Sequence, residues 1–436
     1  MKSICFAVTT ALALALAPAA QAKLSKAETA MAKTVTAEQE RSIALLERLV
    51  NQNSGSLNLE GVEKVGAMMR AELEPLGFTV DWKPMRETGR AGHLIATHKG
   101  RPDGKRLLLI AHLDTVFEPD SAFQTFERMG DKAKGPGVGD NKGGMVVIVA
   151  ALRAMKAAGT LKDANIEIHM TGDEEDAGNP VELARADLVA AGRRSDVALD
   201  FEGLARDNGA DMGSIARRSS ESWTVTATGR PGHSSGIFSA RAGDGAIYEL
   251  TRILYRFRTE LPEPNLTFNV GLVAGGETAS LDEGGIRAAA TGKTNIIPST
   301  AIARGDLRVL SAEQSQRVKA RMAAIVADHA PGTDATIAFD PGGYPAMPPT
   351  DGNRALLDRL NGVNRDLGLP EMAALDPLKR GAGDISFVAA DVDGLAGLGT
   401  FSTGDHGPGE TVDLTSIARQ ATRAAILMTR LAAERR

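Results

Sequence analysis

The 436-residue sequence predicts a layered α/β domain with a smaller two-layer α+β domain inserted into it. Three observations predict it. Strands alternate with helices up to about residue 200, the order changes to βαββαβ between 219 and 341, and an α/β texture returns from 342. Apolar residues at 43% and charged residues at 24% are in globular proportion. The length exceeds one ordinary core, so roughly two or three domains are expected. A net charge of −5 and only 4% aromatic residues leave no footprint for nucleic acid.

Residues 1–22 read as an export signal. Lys2 supplies the positive start, ICFAVTTALALALA the apolar run and AQA a small-residue site, with cleavage expected after Ala22. That run is too short to span a membrane comfortably, and no later segment is apolar enough, so a periplasmic or secreted location is expected. Cys5, the one cysteine, lies inside the signal, so any metal elsewhere must be held by histidines and carboxylates.

Residues 36–76 carry apolar side chains at helical spacing in RSIALLERLV and GVEKVGAMMRAELEPLG. FTVDW, HLIATH and KRLLLIAHLDTV read as strands. The unbroken apolar run of the last implies a strand covered on both faces in a largely parallel sheet. The glycine loop KGPGVGDNKGG, a helix near 143–158 and the strand ANIEIHM follow, and the first part of the larger domain spans 23–218. Within 219–341, SWTVTATG, LTFNVGLVAGG, TAIARGDLRVL and DATIAFD are strands, and 240–261 and 311–330 are helices. The segment 342–436 completes the larger domain.

His112 and Asp114 stand two apart at the end of an apolar strand and share one face. An imidazole there can bind a metal while a neighbouring carboxylate fixes its tautomer, although a buried pair serving stability would read the same. Asp140, centred in GPGVGDNKGG, lacks the spacing of a phosphate loop; it suits a helix cap or a carboxylate bridging two cations. The run Asp173, Glu174, Glu175, Asp176 ends the strand ANIEIHMT. Adjacent residues in extended chain point apart, so one of Glu174 and Glu175 can bind a metal while the other works on a water. Asp173 and Asp176 are expected in solvent or supporting their neighbours. Among seven histidines, His93, His98, His169 and His329 fall in element patterns and read as structural, whereas His406 and His233 lie in glycine-rich loops.

AHLDTV, GPGVGDNKGG, GDEE, FEG, GRPGHSSG, NIIPST and GDH occur in the order seen in a family of co-catalytic di-zinc hydrolases, which this chain resembles over its whole length beyond the signal. That family includes glutamate carboxypeptidase of the carboxypeptidase G type, aminoacylase and succinyl-diaminopimelate desuccinylase. The resemblance implies a zinc-peptidase-like α/β catalytic domain carrying a βαββαβ lid that also dimerises. It implies that His112 and Glu202 hold one zinc, Glu175 and His406 the other, and Asp140 bridges them. Asp114 would orient His112, Glu174 would be the general base, and His233 would reach into the partner's active site. Asn295 and Arg308 match positions that grip a substrate carboxylate, and Gly383 belongs to GAGD, similar to a substrate-binding glycine loop. Asp200 and Glu202 stand two apart on a strand, so periodicity cannot choose between them; the DFEG context resembles members that use Glu202, with Asp200 second.

The expected activity is hydrolysis of the amide bond to a C-terminal amino acid, in a peptide or N-acyl amino acid with a free carboxylate. Two Zn²⁺ per subunit, or Co²⁺ or Mn²⁺ in their place, are expected, with a homodimer built through the lid and no membrane partner. A dipeptidase or aminopeptidase of the same family is the second reading. A periplasmic binding protein without chemistry is the third, and it has no need of Glu174.

Overall fold

The computed structural model describes residues 24–436, and the expected export signal at 1–22 lies outside them. The larger domain opens with helices α1 (Lys26–Ala37), α2 (Gln39–Val50) and α3 (Leu59–Leu73). Strands β1 (Thr79–Pro84), β2 (Gly92–His98) and β3 (Arg106–His112) follow, then α4 (Lys142–Ala157), β4 (Asn165–Thr171) and β5 (Val197–Asp200). The inserted domain contains β6 (Glu221–Gly229), α5 (Ala246–Glu260), β7 (Thr267–Gly276), β8 (Thr300–Arg308), α6 (Ala312–Ala327) and β9 (Thr333–Phe339). Helix α7 (Asp351–Leu367), the two-residue strand β10 (Gly394–Leu395) and α8 (Thr415–Ala433) close the chain.

The central sheet runs β1-β2-β4-β3-β5-β10. It is mixed rather than largely parallel: β1–β2 and β2–β4 pair antiparallel, while β4–β3, β3–β5 and β5–β10 pair parallel. The links after Pro84 and His98 are too short for crossover helices, so the chain must reverse at each. Strand β3 shows why its apolar run is unbroken. Leu107, Leu109 and Ala111 join the large core with the helices, whereas Leu108 and Ile110 join a second core with Leu188, Ala198, Met347 and Ile385. Parallel strands β3, β4 and β5 end at one edge of the sheet, where open α/β sheets place their ligands. Helix α4 packs close beneath that edge: a side chain on Gly144 would run into the carbonyl oxygen of Phe201.

The inserted domain is a four-stranded antiparallel sheet, β7-β8-β6-β9, with α5 and α6 on one face. Trp223 anchors its separate core, packed edge-on against Phe257 with ring centroids 5.7 Å apart. A hairpin of Thr278–Leu281 with Ala288–Thr291 was not expected, because TASLDEGGIRAAAT is built of small side chains without an apolar alternation. The two crossovers between domains form a ribbon. Arg217 and Met347 exchange backbone hydrogen bonds of 2.9 Å each, and Ser220 and Tyr344 exchange bonds of 3.0 and 2.9 Å. No helix among the described residues is long and apolar enough to cross a membrane.

Candidate metal centre

His112 ends β3 with only 2% of its surface exposed. Its Nδ1 faces the Asp114 backbone oxygen at 3.1 Å and the Asp114 carboxylate at 3.4 Å, which leaves Nε2 directed at Asp140 Oδ1, 3.0 Å away. The other oxygen of Asp140 meets His406 Nε2 at 3.3 Å, and Glu175 Oε2 lies 3.2 Å from that same nitrogen. Each Asp140 oxygen therefore faces one imidazole. His406 adopts a φ of +63°, uncommon for a residue with a side chain, in the loop that brings its ring over Asp140 and Glu175.

The glycine loop is held from behind. The Glu410 carboxylate accepts hydrogen bonds from the backbone N–H groups of Gly137, Gly139 and Asp140 at 2.9, 2.8 and 3.0 Å. Burial pushes Glu410 up to about 7. Burial would also raise Asp140, but the His112 and His406 rings on its two oxygens hold it well below the usual carboxylate range. His112 is the complement: burial works against its protonation, yet Asp114 and Asp140 raise it well above the usual histidine range. The site therefore has a strong demand for positive charge, which a metal can satisfy in place of protons.

The acidic run is divided among four environments. Asp173 is buried, which removes the solvated one of its two expected environments: Arg185 Nη1 donates to it at 2.6 Å and the Gly178 N–H at 2.8 Å. Glu174 lines a cavity of about 290 Å³, and among the described residues its carboxylate has no hydrogen-bond partner. Burial, then the nearby Glu202 carboxylate, push Glu174 well above the usual range. Glu175 turns to His406, and its Oε1 is buried without a partner. Asp176 pairs with Arg90 at 2.8 Å on the surface. Asp114 does more than face His112, since its two oxygens accept the Glu174 and Glu175 N–H groups at 3.0 Å each and the Ser56 hydroxyl at 2.6 Å.

Strand β5 stops at Asp200, so the period-two argument does not extend to Glu202. Glu202 lines the cavity and pairs with Arg217 at 2.5 Å and Arg380 at 3.4 Å. Asp200 instead lies behind, 3.3 Å from both Arg217 and the Glu202 N–H, and burial with the Glu202 charge pushes it up to about 7. Gly381 and Ala382 form the cavity wall, while Gly383 packs behind it against Glu202 and Arg217. Arg308 pairs with Asp306 at 2.9 Å, and its Nη1 comes within 3.7 Å of where a Gly381 Cβ would stand. His233 and Asn295 are both exposed at one end of the 232–233/296–297 ribbon of the inserted domain, where the Ser234 N–H donates to the Asn295 carbonyl at 2.9 Å, and they do not line this cavity. His93, His98, His169 and His329 each have a protein partner away from the centre.

Arg217, Lys379 and Arg380 in the cavity wall, and Glu410 behind the loop, were not read from the sequence. A lone charge in a loop carries no spacing signal, and only the fold brings these four to the site. The donor set fits a metal ion. His112, Asp140 and Glu175 offer ligand atoms within 4.8 Å of one another. His406 adds a second imidazole, and Glu175 Oε1 is buried with no hydrogen-bond partner among the described residues, a need that a bound cation would meet.

The family model described as Peptidase family M20/M25/M40 matches residues 108–430. Carboxypeptidase G2 of Pseudomonas sp. (strain RS-16) is 28% identical over 435 residues, covering 97% of this chain and 98% of that protein. A succinyl-diaminopimelate desuccinylase of Rhodospirillum centenum is 32% identical over 180 residues, 39% of this chain and 46% of that one. A Staphylococcus aureus tripeptidase structure matches with a TM-score of 0.70 at 16% identity, over 91% of this chain and 99% of that one. A dinuclear metal-binding M20 peptidase of Bacillus subtilis matches with a TM-score of 0.63 at 17% identity, over 90% and 98%. At such identities the structures establish the fold.

Proposed function

The chain belongs to peptidase family M20/M25/M40, and from that premise we propose that it hydrolyses the amide bond joining an acyl or peptidyl group to a C-terminal amino acid with a free carboxylate. The observation that carries the reading is the Asp140 carboxylate facing one imidazole with each oxygen, beside a Glu174 carboxylate with no hydrogen-bond partner among the described residues. In this reading His112 and Glu202 would hold one metal, Glu175 and His406 the other, and Asp140 would be shared between them. A zinc pair there supplies a Lewis acid for the scissile carbonyl and acidifies the attacking water. Co²⁺ or Mn²⁺ suits the same donors. Glu174 would take the proton from the attacking water and pass it to the leaving amine, the part of a general base that faces the cavity. Arg308 receives the substrate carboxylate at the Gly381 edge of the cavity, with Asn295 and His233 supplied by the lid of a second subunit. Exposed Phe238, Tyr248 and Tyr255 on the inserted domain support its use as a dimer surface. The signal-like 1–22 segment supports export.

The test combines metal stoichiometry with a substrate screen. Two metals per subunit are expected, with turnover of N-acyl amino acids and N-blocked dipeptides that is lost when the C-terminus is amidated. Turnover that requires a free N-terminus would assign the chain to aminopeptidase or dipeptidase chemistry instead. Binding without turnover of any amide would overturn the enzyme reading.

A further inference from the structure

The hydrogen bonds that Glu174 makes to the described residues all run through its backbone, which fixes where the side chain enters the cavity. Two of the three polar groups around that backbone are held by Asp114, which accepts the N–H of Glu174 and of Glu175. The third, the Glu174 carbonyl oxygen, accepts a 2.8 Å hydrogen bond from the hydroxyl of Tyr344. Tyr344 is not part of the larger domain's sheet. It lies on the strand returning from the inserted domain, where it is paired with Ser220 of the outgoing strand.

The hydroxyl's orientation is determined by its second neighbour. Arg185 Nη2 stands 2.8 Å from Tyr344 Oη. Arginine can only donate, so Tyr344 accepts there and its single proton goes to Glu174 O. Arg185 is itself fixed: it is buried, binds Asp173 through side chain and backbone, and reaches Asp384 at 2.8 Å. The Tyr344 ring packs edge-on against Phe387 with centroids 4.9 Å apart.

We propose that Tyr344 is a positioning residue that fixes the backbone of Glu174 and ties it to the hinge ribbon, so that the inserted domain's orientation bears on the aim of the base. The inference rests on the role given to Glu174 above. Tyr344→Phe keeps the ring against Phe387 and removes only the donor. Its kcat should fall about tenfold, the lower end for a residue supporting a reactive group, with KM, metal content and melting temperature unchanged. Amide hydrogen exchange at 174–176 should quicken. Thr36→Val, which likewise removes one hydroxyl but from an exposed position on α1, is the control and should leave kcat and exchange at 174–176 unchanged. Unchanged exchange at 174–176, an unchanged kcat, or a loss of kcat that follows loss of metal or of stability would overturn the proposal. A wild-type chain inactive on every amide would overturn the hydrolase reading alone, because the exchange measurement decides the part of Tyr344 without a substrate.

Discussion

Four consecutive carboxylates at 173–176 would repel one another in a common environment, and the chain avoids this by facing each in a different direction. Asp173 meets Arg185, Glu175 the His406 ring and Asp176 the Arg90 guanidinium, which leaves Glu174 as the one carboxylate of the four that faces the cavity without an ionic partner among the described residues. Proton transfer and metal binding should therefore separate by substitution. Glu174→Ala is expected to keep the metal content of the wild type and lose about 10²–10⁴-fold in kcat. Glu175→Ala should instead come away from purification short of metal, as measured by elemental mass spectrometry. A Glu174→Ala enzyme of nearly full activity would remove the base assignment.

At the scale of the element, the 135–141 loop is organised by a carboxylate far along the chain. Glu410 supplies acceptors for three backbone donors that would otherwise be buried without partners. Glu410→Gln replaces one acceptor oxygen with an N–H₂ group facing those donors. A loss of about 1–3 kcal/mol in stability is expected, together with a ten- to hundredfold weaker grip on metal in a chelator competition. If metal affinity were unaffected, the loop would not depend on this anchor. Strand β4 carries a separate, acid-sensitive contact. Burial would raise Glu167, but the His169 ring and Arg194, each 2.8 Å away, bring it down to about 2 from an ordinary 4.5. A depressed carboxylate contributes its stability fully above the unfolded value and loses it as pH falls through the folded one. Wild type and Glu167→Gln should thus differ in urea midpoint near neutrality and converge as pH drops from about 4.5 to 2. A gap that stayed constant across that window would rule the linkage out.

At the scale of the molecule, the cavity and the exposed His233–Asn295 ribbon are parts of one chain that do not meet within it. If the proposed dimer supplies them to each other, His233→Ala should lower kcat by about 10²–10³ with its metals in place. Mixing it with His112→Ala should restore activity after subunit exchange, since one site of the heterodimer then has both histidines. Demonstrated heterodimers with no recovery, or a fully active monomer, would exclude the shared site.

Periodicity and spacing determined the elements, because each apolar pattern reports which faces are covered: β3 could be recognised as covered on both faces from LLLIA before any partner was known. The ordered motifs likewise pointed to His112, Asp140, Glu174, Glu175, Glu202 and His406, residues that lie together around the parallel strand ends. Sheet direction was not legible, since it depends on whether short links can accommodate a crossover. Periodicity could not separate Asp200 from Glu202, for which only the DFEG context spoke; the fold puts Glu202 on the cavity wall and Asp200 behind it. Arg185, Arg380, Glu410 and Tyr344 carry no local pattern at all, and the acidic run does not mark Asp173 as its buried member. Their roles come from contacts between residues 12 to 273 positions apart, and such contacts exist only once the chain has folded.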